Sequence, residues 1–232
     1  MMEPRRKYEL IRDAHVRVGE KTVCFIQALV DFGDVKAGDI GGAIEREDNL
    51  SHDGDCWVYH SAKVYGSGKV MGNAKIKDQA EVFDFATVTD DAVVAGNSKV
   101  FQQATVYGNA VVDGQASIYG ASQVFGNSRV IGFSRVHEDA WVYGDVLVDG
   151  YSNITRKTTI RPITLLGLEY NVTIMDDDIS IDCQTKSFDE WRKVTREEAF
   201  AMNGKTSLKF FKESYDTFEF LVQKYRKNKS NV

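Results

Sequence analysis

Four histidines are the residues of this chain best suited to proton transfer near neutral pH, namely His15, His52, His60 and His137. Only His137 combines carboxylate neighbours, Glu138 and Asp139, that could orient its imidazole as a general base, with a plausible groove beside it. His137 is therefore the one candidate catalytic residue. The spacing indicates no Ser–His–Asp or Cys–His pairing.

Metal and phosphate chemistry have little support in the sequence. Cys24, Cys56 and Cys183 are too few for a disulfide framework, and histidines and cysteines form no cluster with metal-ligand spacing. The triplet Asp176–Asp178 could bind a hard cation, but an acidic hairpin turn also explains it. The glycine-rich stretch 31–42 lacks the Gly-x-x-x-x-Gly-Lys-Ser/Thr pattern. The sequence thus predicts no metal and no cofactor.

The element that must position these residues is a repeat of six residues, which runs eighteen times from Cys56 to Ile163. The third slot of each hexad is always Val or Ile, and the first slot is almost always Ala, Ser or Gly. Residues two apart share one face of a strand, so both slots point to an apolar core. Gly is frequent in the fifth slot, which indicates a corner with positive φ.

Short strands joined by such corners predict a parallel β-helix, in which stacked coils share one core. Three hexads per coil give six coils, and a strand spacing of about 4.8 Å gives a prism roughly 29 Å tall. We expect an all-β fold with an N-terminal cap (1–55), a solenoid (56–175) and a C-terminal hairpin with helices (176–232).

The hexads resemble the hexapeptide-repeat family, whose members fold as left-handed parallel β-helices. The variant seen in Ala104–Asn109, ATVYGN, is similar to solenoids of phage and prophage genes that are often labelled acyltransferases. The stretches VDFGDVKAGDIGGAIEREDNLS and ISIDCQTKSFDEWRKVTREEA also resemble that group. The resemblance implies a trimer and, for an enzyme of the family, a histidine base with coenzyme A between subunits. The family often places that histidine near a loop extruded from the prism, and these hexads contain no such loop.

Residues eighteen apart should stack vertically, and the slot after the core aliphatic then forms three outward columns. Two columns are aromatic and one is mixed. The first aromatic column is Tyr65, Phe83, Phe101, Tyr119 and His137; the second ends in Tyr107, Phe125 and Tyr143. Exposed apolar strips of this kind mark interfaces, although stacked rings also stabilise adjacent coils. We therefore predict self-association through these aromatic residues.

Both ends of the solenoid should be capped. Residues 7–30 read as a β-hairpin, and 174–182 read as strand, acidic turn and strand. Capping boxes at Ser187–Glu190 and Thr195–Glu198 predict two helix starts, and Gly204 ends the second helix. A third helix is predicted over about 206–227. It has one apolar face, which we expect either to cover the prism or to bind another chain; the face consists of Phe211, Tyr215, Phe218 and Leu221.

Composition limits the partners. The net charge is −5, while residues 56–163 carry ten basic and ten acidic side chains, so nucleic-acid binding is not expected. No apolar run is long enough for a membrane span, and we expect a reducing cytoplasm, that of the host cell if the gene is phage-borne.

Two functions remain open. The first is a non-enzymatic oligomeric scaffold that binds another protein, such as a phage-encoded inhibitor binding a protein of a host defence system. The alternative is a coenzyme A-dependent acyltransferase. The scarcity of histidines and the absence of an extruded loop favour the scaffold.

Overall fold

The hexapeptide repeat forms a parallel β-solenoid of about six turns, as the periodicity predicts. A computed structural model describes residues 6–155, 163–165, 168–175, 178–182 and 184–229. Every strand of the solenoid consists of the second and third slots of one hexad, and each pairs in parallel with the strand eighteen residues away. The eighteenth hexad, with Ile160, lies outside the described residues.

The strands form three flat faces, each of which we name after its first aromatic residue in the fourth slot. The Tyr65 face contains Lys63–Val64, Glu81–Val82, Lys99–Val100, Ser117–Ile118, Arg135–Val136 and Asn153–Ile154. The Tyr107 face contains Lys69–Val70, Thr87–Val88, Thr105–Val106, Gln123–Val124 and Trp141–Val142. The Tyr59 face contains Trp57–Val58, Lys75–Ile76, Val93–Val94, Val111–Val112, Arg129–Val130 and Leu147–Val148.

The solenoid core is built from the third-slot aliphatic residues, each of which is fully buried from Val58 to Ile154. The small first-slot residues, such as Ala62 and Ser98, are also fully buried. One continuous cluster therefore runs through the prism. Because no coil could bury these side chains alone, the stacked coils are stable only together.

The corners occupy the fifth slot, as predicted, and they require positive φ. Gly120 shows why glycine is frequent there, since a Cβ at this position would come within 2.6 Å of the backbone of Glu138 in the next coil. Six non-glycine residues adopt the same conformation, namely His60, Asp78, Asp84, Asp90, Gln102 and Glu138. Such residues accept strain that glycine would avoid.

The N-terminal cap is the predicted hairpin, Tyr8–Val18 with Lys21–Ala28, followed by a third strand, Ile40–Ile44. The third strand pairs in parallel with Lys63–Val64, so the hairpin extends the sheet of the Tyr65 face. A short 3₁₀ helix, Glu47–Asn49, leads into the first coil. The edge of the first coil is thereby paired on the Tyr65 face instead of open.

The glycine-rich connection before the third strand folds over the first coil. Phe32 packs edge-on against Trp57 with ring centroids 5.4 Å apart. Asp34 accepts hydrogen bonds from the Tyr59 hydroxyl at 2.7 Å and from Lys75 at 2.8 Å. These contacts agree with a capping role for residues 31–42.

The C-terminal part begins with a four-stranded antiparallel sheet, Ile163–Leu165, Val172–Ile174, Asp178–Ile181 and Gln184–Ser187. The predicted strand–turn–strand is its central hairpin. Met175 packs into the solenoid core, and Ser180 and Thr185 hydrogen-bond the backbone of Asn153. The sheet therefore closes the last described coil.

Both predicted helix starts are confirmed. Helix α1, Phe188–Trp191, is capped by Ser187, and helix α2, Arg196–Lys229, begins after the Thr195 capping box. Asn203 and Gly204 break α2, as the glycine predicts. The second part of α2 packs Phe210, Phe218 and Val222 against the C-terminal sheet. The structure describes the backbone but not the side chains of Phe211 and Tyr215.

Candidate functional site

The aromatic column of the Tyr65 face is a continuous stack of rings, one per coil. Successive centroids from Tyr65 to Tyr119 are 4.9–5.0 Å apart, and the ring planes lie within 11° of parallel. His137 continues the stack on Tyr119 at 4.7 Å. The predicted vertical alignment is therefore confirmed, and each pair contributes about 0.5–1.5 kcal/mol to the packing of neighbouring coils.

Because the rings stack, the surface of this column that a partner could contact consists of ring edges. Inside the stack both faces of each ring are covered by the coils above and below, so the ring edges point outward. Tyr65 is buried, because Val16, Val18, Val23 and Phe25 of the hairpin pack with it. The accessible part of the column thus runs from Phe83 to His137.

A charged column runs beside these rings in the second slot. Glu81 lies 3.6 Å from Lys63 and 3.7 Å from Lys99, and it accepts a hydrogen bond from the Tyr65 hydroxyl at 3.1 Å. Burial and this neighbouring carboxylate raise the pKa of Tyr65. Arg135 is exposed farther along the same face.

The Tyr107 face carries the second aromatic column. Tyr107, Phe125 and Tyr143 stack with centroid distances of 4.8 and 5.3 Å. Trp141 meets Phe125 edge-on at 6.2 Å. In the second and fourth slots of this face, from Lys69 to Tyr143, Lys69 is the one charged residue. Few charges and many aromatic residues are typical of the core of a protein interface.

Sequence reasoning missed three exposed rings at the corners. Phe85, Phe133 and Tyr151 occupy the sixth slot and are 69%, 45% and 53% exposed. Phe133 and Tyr151 stack on each other at 4.8 Å, while Phe85 stands in a column with Gln103 and Ala121. Their aromatic character could have identified them in the sequence, since the sixth slot is otherwise mostly polar or small.

The structure places His137 in a supporting position. Its Nε2 lies 2.8 Å from the Asn153 side-chain oxygen, so Nε2 donates, and Nδ1 lies 3.9 Å from Glu138. One ring face is covered by Tyr119, and the side chain is 16% exposed. Asp139 is exposed at the corner. These contacts hold the imidazole as the last ring of the column.

Other reactive side chains contribute to the N-terminal cap. Lys7 Nζ is buried and lies 3.0 Å from the carbonyls of Gly54 and Cys56 and 3.4 Å from the Cys56 thiol. Burial raises the pKa of that thiol, so it stays protonated and is a poor nucleophile. His52 stacks on Tyr8 at 4.4 Å and accepts a hydrogen bond from the Lys7 backbone.

Within the described residues, no three His, Cys, Asp or Glu side chains are placed to hold a metal ion. Asp178 is a buried strand residue, and Asp176 and Asp177 lie outside the described residues. Among the helices that the structure describes, none has the length and apolar character to cross a membrane.

Comparison with protein-family models and with curated proteins finds no match to this chain.

Proposed function

We propose that this protein is a non-enzymatic β-solenoid scaffold that associates with itself and binds another protein through its flat faces. The observation that carries this proposal is the pair of aromatic columns on the Tyr65 and Tyr107 faces. Each presents ring edges along several coils, and one lies on a face nearly without charge. Interface cores have this composition.

The closed ends of the solenoid favour discrete complexes over filaments. The N-terminal hairpin pairs with the first coil, and the C-terminal sheet covers the last described one. Open solenoid ends would invite end-to-end stacking of copies. With the first coil and the last described coil covered, association is directed to the sides of the prism.

The identity of the partner is proposed from the sequence resemblance. Similarity to phage-borne solenoids suggests a phage-encoded inhibitor that acts in the host cytoplasm on a protein of a defence system. The same resemblance to the hexapeptide-repeat family suggests a trimer. We propose no cofactor for this activity.

Self-association is tested by light scattering on the wild type and on Phe83→Lys/Phe101→Lys, which places two cations in the accessible column of the Tyr65 face. We expect a lower oligomer mass with unchanged β circular dichroism. An unchanged mass would assign this column to coil stacking or to partner binding.

The acyltransferase alternative is tested by calorimetric titration with acetyl-coenzyme A. The contacts of His137 with Tyr119 and Asn153 support a structural role, so we expect no heat of binding. Micromolar binding that the His137→Ala variant weakens or makes unproductive would favour the enzyme instead.

A further inference from the structure

The most exposed large apolar side chain that the structure describes is Phe85, at the edge of the Tyr107 face. Burying a phenylalanine side chain is favourable, so its 69% exposure leaves a sizeable stabilisation unused. Among the described side chains Phe85 makes no ring stack, whereas the exposed Phe133 stacks on Tyr151. The simplest explanation for such an exposed ring is that a binding partner buries it.

The same edge contains a recess, in a groove that Asp84 and Phe85 themselves line at one end. Ala121 lies in the same column as Phe85, two coils farther along, and Gly120 precedes it. A groove runs along this edge past Gln103, Gly120 and Ala121 as far as Glu138. The two small residues give the groove its depth.

We propose that a second copy of this chain docks antiparallel on the Tyr107 face, and that Phe85 of each copy fills the Gly120–Ala121 recess of the other. The two-fold axis lies in the interface, perpendicular to the solenoid axis, level with Thr105. This inference rests on the self-association in the proposed function, names its surface, and replaces the trimer that the family resemblance suggests with a two-fold dimer.

The five described strands of this face define five levels, numbered from Lys69–Val70 (level one) to Trp141–Val142 (level five). The two-fold axis brings level one of one copy opposite level five of the other, and level two opposite level four. It also brings each column opposite itself. Thr89 of one copy then faces Phe125 of the other, a small side chain against a large one. Met71 faces Tyr143, and Tyr107 meets its own counterpart near the axis. A small side chain therefore meets a large one at levels two and four, while large side chains meet at the other three levels.

Charges select this arrangement over its alternatives. Along the five described levels the edges of the face carry only acidic charges, with Asp84, Asp90 and Asp91 at level two and Glu138, Asp139 and Asp145 at level five. In the antiparallel arrangement each of these levels faces a level whose edge residues carry no charge, for example Asp139 opposite Ser67. A parallel pair would set Asp84 against Asp90 and Asp139 against Asp145. Like charges in such proximity oppose association.

A shift of one level is also disfavoured. In one direction it places Asp84 and Phe85 opposite Glu138 and Asp139, which buries the ring against carboxylates. In the other direction Phe85 meets Gln103 and finds no recess. The full overlap of five levels is the register that satisfies both packing and charge.

The contact is small. Five strands at about 4.8 Å give a patch roughly 24 Å tall, and four residues at about 3.3 Å give a width of roughly 13 Å. Stable interfaces bury about 1,200–2,000 Å² in total, more than such a patch offers. The dimer should therefore dissociate on dilution.

The test is light scattering over a concentration series, with circular dichroism as a check on folding. We expect the mass to rise from 26.0 kDa to twice that value. Phe85→Ala should remove the dimer, because the recess stays empty. Ala121→Phe should also remove it, because the recess is filled. Phe133→Ala is the matched control and should dimerise like the wild type.

The decisive variant is Phe85→Ala/Ala121→Phe. Positions 85 and 121 face each other across the axis, so exchanging them again sets one large side chain against one small one and should restore the dimer in part, because Asp84 takes the place of Gly120 beside the ring. A wild type that stays at 26.0 kDa or forms trimers overturns the inference, as does a dimer that Phe85→Ala leaves intact. A mass that falls only in Phe83→Lys/Phe101→Lys overturns this inference while the proposed scaffold function stands.

Discussion

The imidazole of His137 lies flat on the phenol ring of Tyr119, with centroids 4.7 Å apart and an interplanar angle of 0°. This one pair joins the two interpretations of the chain, because the residue that a catalytic hypothesis needs is the residue that ends the aromatic column. Its ring nitrogen is bonded to Asn153 at 2.8 Å. The contacts of the side chain are those of a packing residue.

Substitution at this position separates stacking from hydrogen bonding. His137→Phe keeps the ring and loses the Asn153 contact, whereas His137→Ala loses both. We expect unfolding free energies in urea to fall in the order wild type, Phe, Ala, with about 1 kcal/mol for each lost interaction. Equal stability of the Phe and Ala variants would argue against a stabilising stack.

Two adjacent valines test the hexad register. Val94 is fully buried in the core, and Val93 in the same strand points outward beside Lys75. Val94→Asp places an unpaired charge in the core and should cost several kcal/mol, whereas Val93→Asp should cost about 1 kcal/mol or less. Thermal melting measures both, and similar melting temperatures would contradict the assigned register.

The strained corner at His60 offers a stabilising change. His60 has φ of 42° in the slot that glycine usually occupies, and its side chain is exposed. His60→Gly should raise the unfolding free energy by about 0.5–1 kcal/mol, and the β-branched His60→Val should lower it. A destabilised glycine variant in a denaturant titration would show that the histidine makes an energetically important contact.

The contact of Asp34 with Tyr59 and Lys75 should depend on pH. Hydrogen bonds from Lys75 and Tyr59 lower the pKa of Asp34 from 3.8 to about 2. A lowered pKa in the folded state stabilises the protein above pH 3.8, and this contribution is lost as the pH falls through about 2.

The Asp34→Asn variant should therefore melt below the wild type at pH 5, and the difference should shrink toward pH 2. The effect is small because the carboxylate is half exposed. Asp53→Asn changes a nearby exposed carboxylate that makes no ion pair within the described residues, and it serves as the control. A difference that stays constant with pH would contradict the assigned ion pair.

The solenoid could be predicted from sequence because its rules are local. A strand slot that repeats every six residues fixes which side chains are buried, and Val58 to Ile154 follow that rule throughout. The aromatic columns could also be predicted, because three hexads per coil place residues eighteen apart above one another. The contact of Asp34 with Lys75 could not be predicted in this way, because it joins residues 41 positions apart in sequence through an irregular loop.

The exposure of Phe85 could not be predicted from the sequence either. The period gives the direction of the sixth slot but not whether a neighbour covers it, and Phe133 in the equivalent slot is covered in part by Tyr151. At the C-terminus the six-residue pattern fades, so the strands Ile163–Leu165 and Gln184–Ser187 had no periodic signal.

The backbone hydrogen bonds of the solenoid connect residues of successive coils, such as Thr105 with Ser122 and Tyr107 with Val124, and so run along its axis. A pulling force applied between the two ends of the prism would load these bonds one after another rather than together. Each coil would then peel away as a unit and release about 60 Å of extended chain. Under tension the protein would therefore unfold in equal steps at low force.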